Sequence, residues 1–134
     1  MKKIEHLGIA VKSIAAANEI YTKLLGYQPY KAEDVASEGV NTSFFMCGES
    51  KIELLEATNP ESPIAKFIEK RGEGVHHIAF LVDNIEAEMK RLKKEGFVLL
   101  NSTPKRGADN KLVAFLHPKS SLGVLVELCQ DIVD

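Results

Sequence analysis

The sequence predicts an α+β fold made of one βαβββ module written twice, and three observations carry that reading. Residues 4–14 read IEHLGIAVKSI and residues 75–85 read VHHIAFLVDNI; at an offset of 71, His6 falls on His77, Val11 on Val82 and Ile14 on Ile85. In both copies a helical stretch follows and ends at a glycine and an aromatic, Gly26-Tyr27 and Gly96-Phe97. A glycine there is a natural helix C-cap. The second halves also agree: Thr42–Phe45 matches Val113–Leu116 at the same offset, and Lys51–Leu54 matches Leu125–Leu128 at an offset of 74. The three extra residues fit the loop around His117–Gly123.

Each element follows from its pattern. In the first strand, Ile4, His6, Gly8 and Ala10 share one face and Leu7, Ile9 and Val11 the other. The run Ile14–Leu25 places Ala17, Ile20, Tyr21, Leu24 and Leu25 at helical spacing. Strands over Thr42–Phe45 and Lys51–Leu55 close the first module, about residues 1–58. Asn59-Pro60-Glu61-Ser62-Pro63 breaks the chain and starts a short linker helix, Ile64–Lys70, within a connector over about 60–71. The second module covers about 74–130. Its helix, Ile85–Glu95, sets Ile85, Met89 and Leu92 on one face and its charges in water. Pro104–Asn110, with turn residues and two cations, reads as a candidate mobile flap.

Composition narrows the function classes. At 134 residues, 45% hydrophobic, the chain fits one compact domain with a real core. A net charge of −2 gives no electrostatic case for nucleic acid or an anionic membrane. No apolar run approaches the roughly 18 residues of a membrane span. The opening MKKIEHLGIAV begins like a signal peptide, but Glu5 and His6 interrupt it, and we read it as the first strand. Cys47 and Cys129 are too few for a disulfide framework and lack zinc-site spacing, so free thiols in a cytoplasmic protein are expected.

The repeat singles out four residues. His6 and His77 sit at equivalent points on the first strand of each module, and Glu53 and Glu127 on the last. A lone strand histidine is most often structural, and a lone strand glutamate usually faces water. Here each carboxylate interrupts a strongly apolar stretch, Ile52-Glu53-Leu54-Leu55 and Leu125-Val126-Glu127-Leu128, where a charge is costly unless paired or metal-bound. A two-fold arrangement of the modules would gather two imidazoles and two carboxylates, a donor set suited to Zn²⁺, Co²⁺, Ni²⁺, Mn²⁺ or Fe²⁺ with open positions left over. Alignment with His6 selects His77 over His76, which points to the opposite face and supports packing or a contact behind the ligands. His117, before Pro118, either contacts substrate or caps the strand end.

These paired motifs, H-L-G-I-A-V and H-I-A-F-L-V with a carboxylate on each closing strand, resemble the vicinal oxygen chelate superfamily over nearly the whole chain. Ser62–Phe67, Gly74–Phe80, Val82–Ile85 and Phe115–Lys119 running on to Gly123–Leu128 resemble its methylmalonyl-CoA epimerases. Tyr21–Gly26 and the His/Glu/His/Glu set are equally similar to glyoxalase I, the lactoylglutathione lyases. The resemblance implies one divalent metal ion, Co²⁺, Zn²⁺, Ni²⁺ or Mn²⁺, on His6, Glu53, His77 and Glu127. It implies an acyl-CoA or glutathione-type thioester substrate, with Lys105, Arg106 and Lys119 as candidate cations at the pocket mouth, and a homodimer. It also implies inversion at carbon 2 by two bases, Glu127 on one face and Glu53 on the other. Some epimerases instead carry Gln at the Glu53 position and a Glu on the preceding strand; here that place is Thr42, which cannot act as a base. Glutamate at both sites is the glyoxalase-type pattern. A third possibility is a metal-free binding relative, against which the intact ligand set counts.

Overall fold

The computed structural model describes residues 1–133. The strands are β1 (Lys3–Ala10), β2 (Lys31–Val35), β3 (Val40–Cys47), β4 (Ser50–Ala57), β5 (Gly74–Leu81), β6 (Lys105–Arg106), β7 (Lys111–Leu116) and β8 (Val126–Asp131). The helices are α1 (Ile14–Leu25), α2 (Pro63–Arg71) and α3 (Ile85–Lys94). The order β1-α1-β2-β3-β4, then β5-α3-β6-β7-β8, is the predicted βαβββ module twice, joined by α2. Among the described residues no helix is long and apolar enough to cross a membrane.

By contact the chain divides into two compact units, Leu7–His76 and Met1–His6 with His77 onward. This partition differs from the repeat: it cuts through β1 and β5, so His6 belongs with the second module's residues and α2 with the first's.

In the unit Leu7–His76, strands run in the order β2-β3-β4-β1. β3 pairs antiparallel with β2 and β4, in a register that sets Phe44 opposite Glu53. α1 covers one face, where Val11, Ala17, Phe45 and Leu54 form the core and Ile14, Tyr21 and Leu25 pack against it. The helix begins at Ser13, whose side chain accepts from Ala16 N, and ends at Gly26 with φ 89°, a left-handed cap open to glycine without strain. Two of the residues expected on its buried face lie outside: Ile20 is 62% exposed and Leu24 70%. The stripe that packs runs through positions 14, 17, 21 and 25, and one helix face covers only so much sheet.

In the other unit the order is β1-β5-β8-β7-β6. β5 and β8 are parallel, and β8, β7 and β6 are successively antiparallel, with Phe115 opposite Glu127. Ile85, Met89 and Leu92 of α3 are buried against Val82, Ala114, Leu116 and Leu128, as the periodicity predicts. The expected flap is here the β6–β7 hairpin, turned through Asp109 and Asn110 in the left-handed region.

The repeat is written into hydrogen bonds inside each unit. Ile14 N donates to Glu56 Oε1 and Ile85 N to Gln130 Oε1, both 2.7 Å, so in each copy a side chain three residues past the strand glutamate holds the helix start. Val11 N donates to Leu55 O, and Val82 N to Cys129 O. Ser13 and Asn84 cap α1 and α3 in the same way.

Candidate metal centre

The unit that holds β5 and β8 also holds a buried cluster of His6, His77 and Glu127. His77 lies on β5 two residues before Ala79, and Ala79 is the register partner of Glu127 on β8. Ala79 is fully buried and small, which leaves room on that face for an imidazole and a carboxylate. Phe115, opposite Glu127 on β7, meets the His77 ring edge-on at 6.0 Å and walls the group from one side.

The donor atoms converge. His6 Nε2 and His77 Nε2 are 3.0 Å apart. Glu127 Oε1 lies 3.1 Å from His77 Nε2 and 3.6 Å from His6 Nε2. All three residues are buried, at 5%, 6% and 6% exposure. Burial pushes the Glu127 carboxyl up, yet the His6 and His77 rings beside it outweigh that and hold it well below its ordinary value.

These donors fit a divalent cation. Metal–ligand distances near 2.1 Å place neighbouring donors about 3 Å apart at right-angle positions, close to the spacing seen here. Two Nε2 lone pairs facing one another at 3.0 Å need a proton or a cation between them. His6 Nδ1 is engaged by Glu5 Oε1 at 3.1 Å. Glu5 and Glu127 therefore bring two carboxylates to two imidazoles in a buried site, which is the charge a divalent cation cancels.

The remaining residues singled out from the sequence are placed as follows. Glu53 belongs to the unit Leu7–His76, 3% exposed in the middle of β4. Thr42, on the neighbouring β3, is 1% exposed, and its hydroxyl has no partner among the described residues. His76 turns away from the face of His77 and packs edge-on against Phe67 of α2, ring centroids 5.0 Å apart. His117 caps the turn that follows β7: its Nδ1 accepts from Lys119 N at 3.0 Å. Lys105, Arg106 and Lys119 are exposed. Glu5 escaped the reading of the sequence. Its only signal was a charge inside an apolar strand next to His6, and strict alternation assigns it to the opposite face.

The model of the glyoxalase/bleomycin resistance protein/dioxygenase superfamily matches residues 5–115. An uncharacterized Bacillus subtilis protein, YqjC, is 40% identical over 130 residues, 97% of this chain and 93% of that one. The ethylmalonyl-CoA/methylmalonyl-CoA epimerase of Cereibacter sphaeroides is 42% identical over 130 residues, 96% of this chain and 97% of that one. Among solved structures, a Streptomyces coelicolor methylmalonyl-CoA epimerase in complex with 2-nitronate-propionyl-CoA superposes with a TM-score of 0.92 at 32% identity, covering 99% of both chains.

Proposed function

The chain belongs to the glyoxalase/bleomycin resistance protein/dioxygenase superfamily, and from that premise we propose that it is a metal-dependent epimerase acting at carbon 2 of methylmalonyl-CoA. The observation that carries the proposal is the buried His6–His77–Glu127 cluster, in a chain about 40% identical to epimerases of that substrate.

The chemical problem is a weakly acidic C–H between a thioester and a carboxylate. His6, His77 and Glu127, with Glu53 as the fourth donor of the repeat, would hold the ion. A divalent ion bound there supplies Lewis-acid stabilisation of negative charge on the thioester oxygen.

The residues of the chain do the rest. Glu127 turns Oε1 toward the imidazoles and leaves Oε2 for the proton. It is ionised at neutral pH, the state in which a carboxylate can accept a proton. The C2–H bond breaks, the proton passes to one glutamate, and the electron pair delocalises into the thioester carbonyl as an enolate. The opposite glutamate then returns a proton to the other face of carbon 2. The repeat assigns that second role to Glu53, the counterpart of Glu127; Thr42 has no ionisable group to offer. Phe115 and the apolar residues around the cluster exclude water, which strengthens each electrostatic contact.

The test is solvent exchange. Metal-loaded protein is incubated with methylmalonyl-CoA in D₂O and the C2 proton followed by NMR, beside the hemithioacetal of methylglyoxal and glutathione. Exchange at carbon 2 that disappears with Glu127→Gln is the expected result. No exchange by fully loaded protein sinks the epimerase reading. Thioester formed from the hemithioacetal would move the chain to the glyoxalases, with which it shares glutamate at both strand positions.

A further inference from the structure

Glu5 has no part in the proton transfer above, yet its place is specific. Its Oε1 lies 3.1 Å from His6 Nδ1, with side-chain exposures of 6% for His6 and 4% for Glu5. The other nitrogen of the same ring, Nε2, faces His77 Nε2 and Glu127 Oε1. A neutral imidazole carries one proton, on either nitrogen. Each ring nitrogen faces a carboxylate, which can only accept: Glu5 Oε1 lies within hydrogen-bond distance of Nδ1 at 3.1 Å, and Glu127 Oε1 stands off Nε2 at 3.6 Å. The nearer acceptor keeps the proton on Nδ1 and the lone pair on Nε2.

We infer that Glu5 is a positioning residue: it holds His6 as the Nδ1–H tautomer and turns the Nε2 lone pair toward the point shared with His77 and Glu127. Metal-binding histidines commonly donate their second N–H to a carboxylate, which fixes the ring and raises its basicity. Here that carboxylate is the residue next in the chain, so the strand backbone that sets His6 also sets its orienting partner. The consequence for ion affinity rests on reading His6, His77 and Glu127 as a metal centre. The tautomer does not, because it is a property of the metal-free protein.

The experiment separates the two. Glu5→Met keeps side-chain length and removes the strong acceptor; Glu5→Gln keeps a carbonyl acceptor and removes the charge. Long-range ¹H–¹⁵N correlation spectra of ¹⁵N-labelled metal-free protein, at a pH where the histidines are neutral, report the His6 tautomer. Co²⁺ titration of the same samples reports affinity. The expected result is an Nδ1–H pattern in wild type and E5Q, a tautomer mixture in E5M, and Co²⁺ affinity about 10- to 100-fold weaker in E5M, with E5Q between E5M and wild type. An unchanged tautomer in E5M overturns the role of Glu5. A changed tautomer with wild-type Co²⁺ affinity overturns its consequence for the metal. Wild-type protein that binds no Co²⁺ overturns the metal-centre reading and the affinity consequence with it, while the spectra still decide what Glu5 does to the ring.

Discussion

Two adjacent histidines, His76 and His77, offer a sharp contrast, since one sits in the cluster and the other in the packing. His77→Ala removes one of the three donors gathered in one unit and leaves Glu127 with His6 Nε2 at 3.6 Å as its remaining imidazole neighbour. Four-donor zinc sites bind with about 10–16 kcal/mol, or about 2.5–4 kcal/mol per donor. Loss of one donor should then weaken binding by roughly two to three orders of magnitude, at about 1.4 kcal/mol per tenfold. His76→Ala loses an edge-on contact with Phe67, a pair worth about 0.5–1.5 kcal/mol of stability, and removes none of the three donors. Competition of each purified variant against a fluorescent chelator for Co²⁺ measures the affinities, and thermal unfolding of the metal-free forms measures stability. The predicted pattern is a large affinity loss with His77→Ala, and unchanged affinity with a small loss of stability in His76→Ala. If His77→Ala binds Co²⁺ as tightly as wild type, the centre lies elsewhere. If His76→Ala loses the metal instead, the face assignment of β5 is wrong.

Three further outcomes follow from the same geometry. The folded pKa of Glu127 lies below its ordinary 4.5, so its contribution is present above that value and is lost as pH falls through the folded one; acid unfolding of metal-free Glu127→Gln should therefore show a shallower loss of stability below about pH 4.5 than wild type. Leu54 is fully buried against Val11, Ala17 and Phe45, so Leu54→Ala should cost about 2–5 kcal/mol by urea unfolding. Thr42 buries a hydroxyl with no partner among the described residues, so the near-isosteric Thr42→Val should raise stability, by up to about 1–3 kcal/mol; a loss of stability would show that the hydroxyl is satisfied in solution.

Periodicity and repetition are local properties of the chain, and they determined a great deal. The 71-residue offset predicted both βαβββ modules and the limits of α1, and the offset of 74 in their closing strands predicted the equivalence of Glu53 with Glu127 that reappears as Phe44 opposite Glu53 and Phe115 opposite Glu127. The buried face of α3 was equally legible, because apolar residues on a helix can pack on only one side. α1 was less so: Ile20 and Leu24 satisfy the same spacing rule yet stay in water, and which part of a wide apolar stripe meets the sheet depends on how the helix is set down.

Tertiary structure decided the rest. Parallel pairing of β5 with β8 sets His77 diagonally across from Glu127, a long-range register that no local pattern encodes. The same holds for the division of the chain through β1 and β5, which puts His6 in the unit of the second module. Glu5 is the clearest case. By alternation it belongs on the far face from His6, but its carboxylate meets Nδ1 of that ring, because side-chain reach and burial, not strand periodicity, decide where a charged group finds its partner. The sequence by itself chose the residues that could bind a metal; only the fold brought three of them within one buried coordination radius and supplied the carboxylate that aims the first.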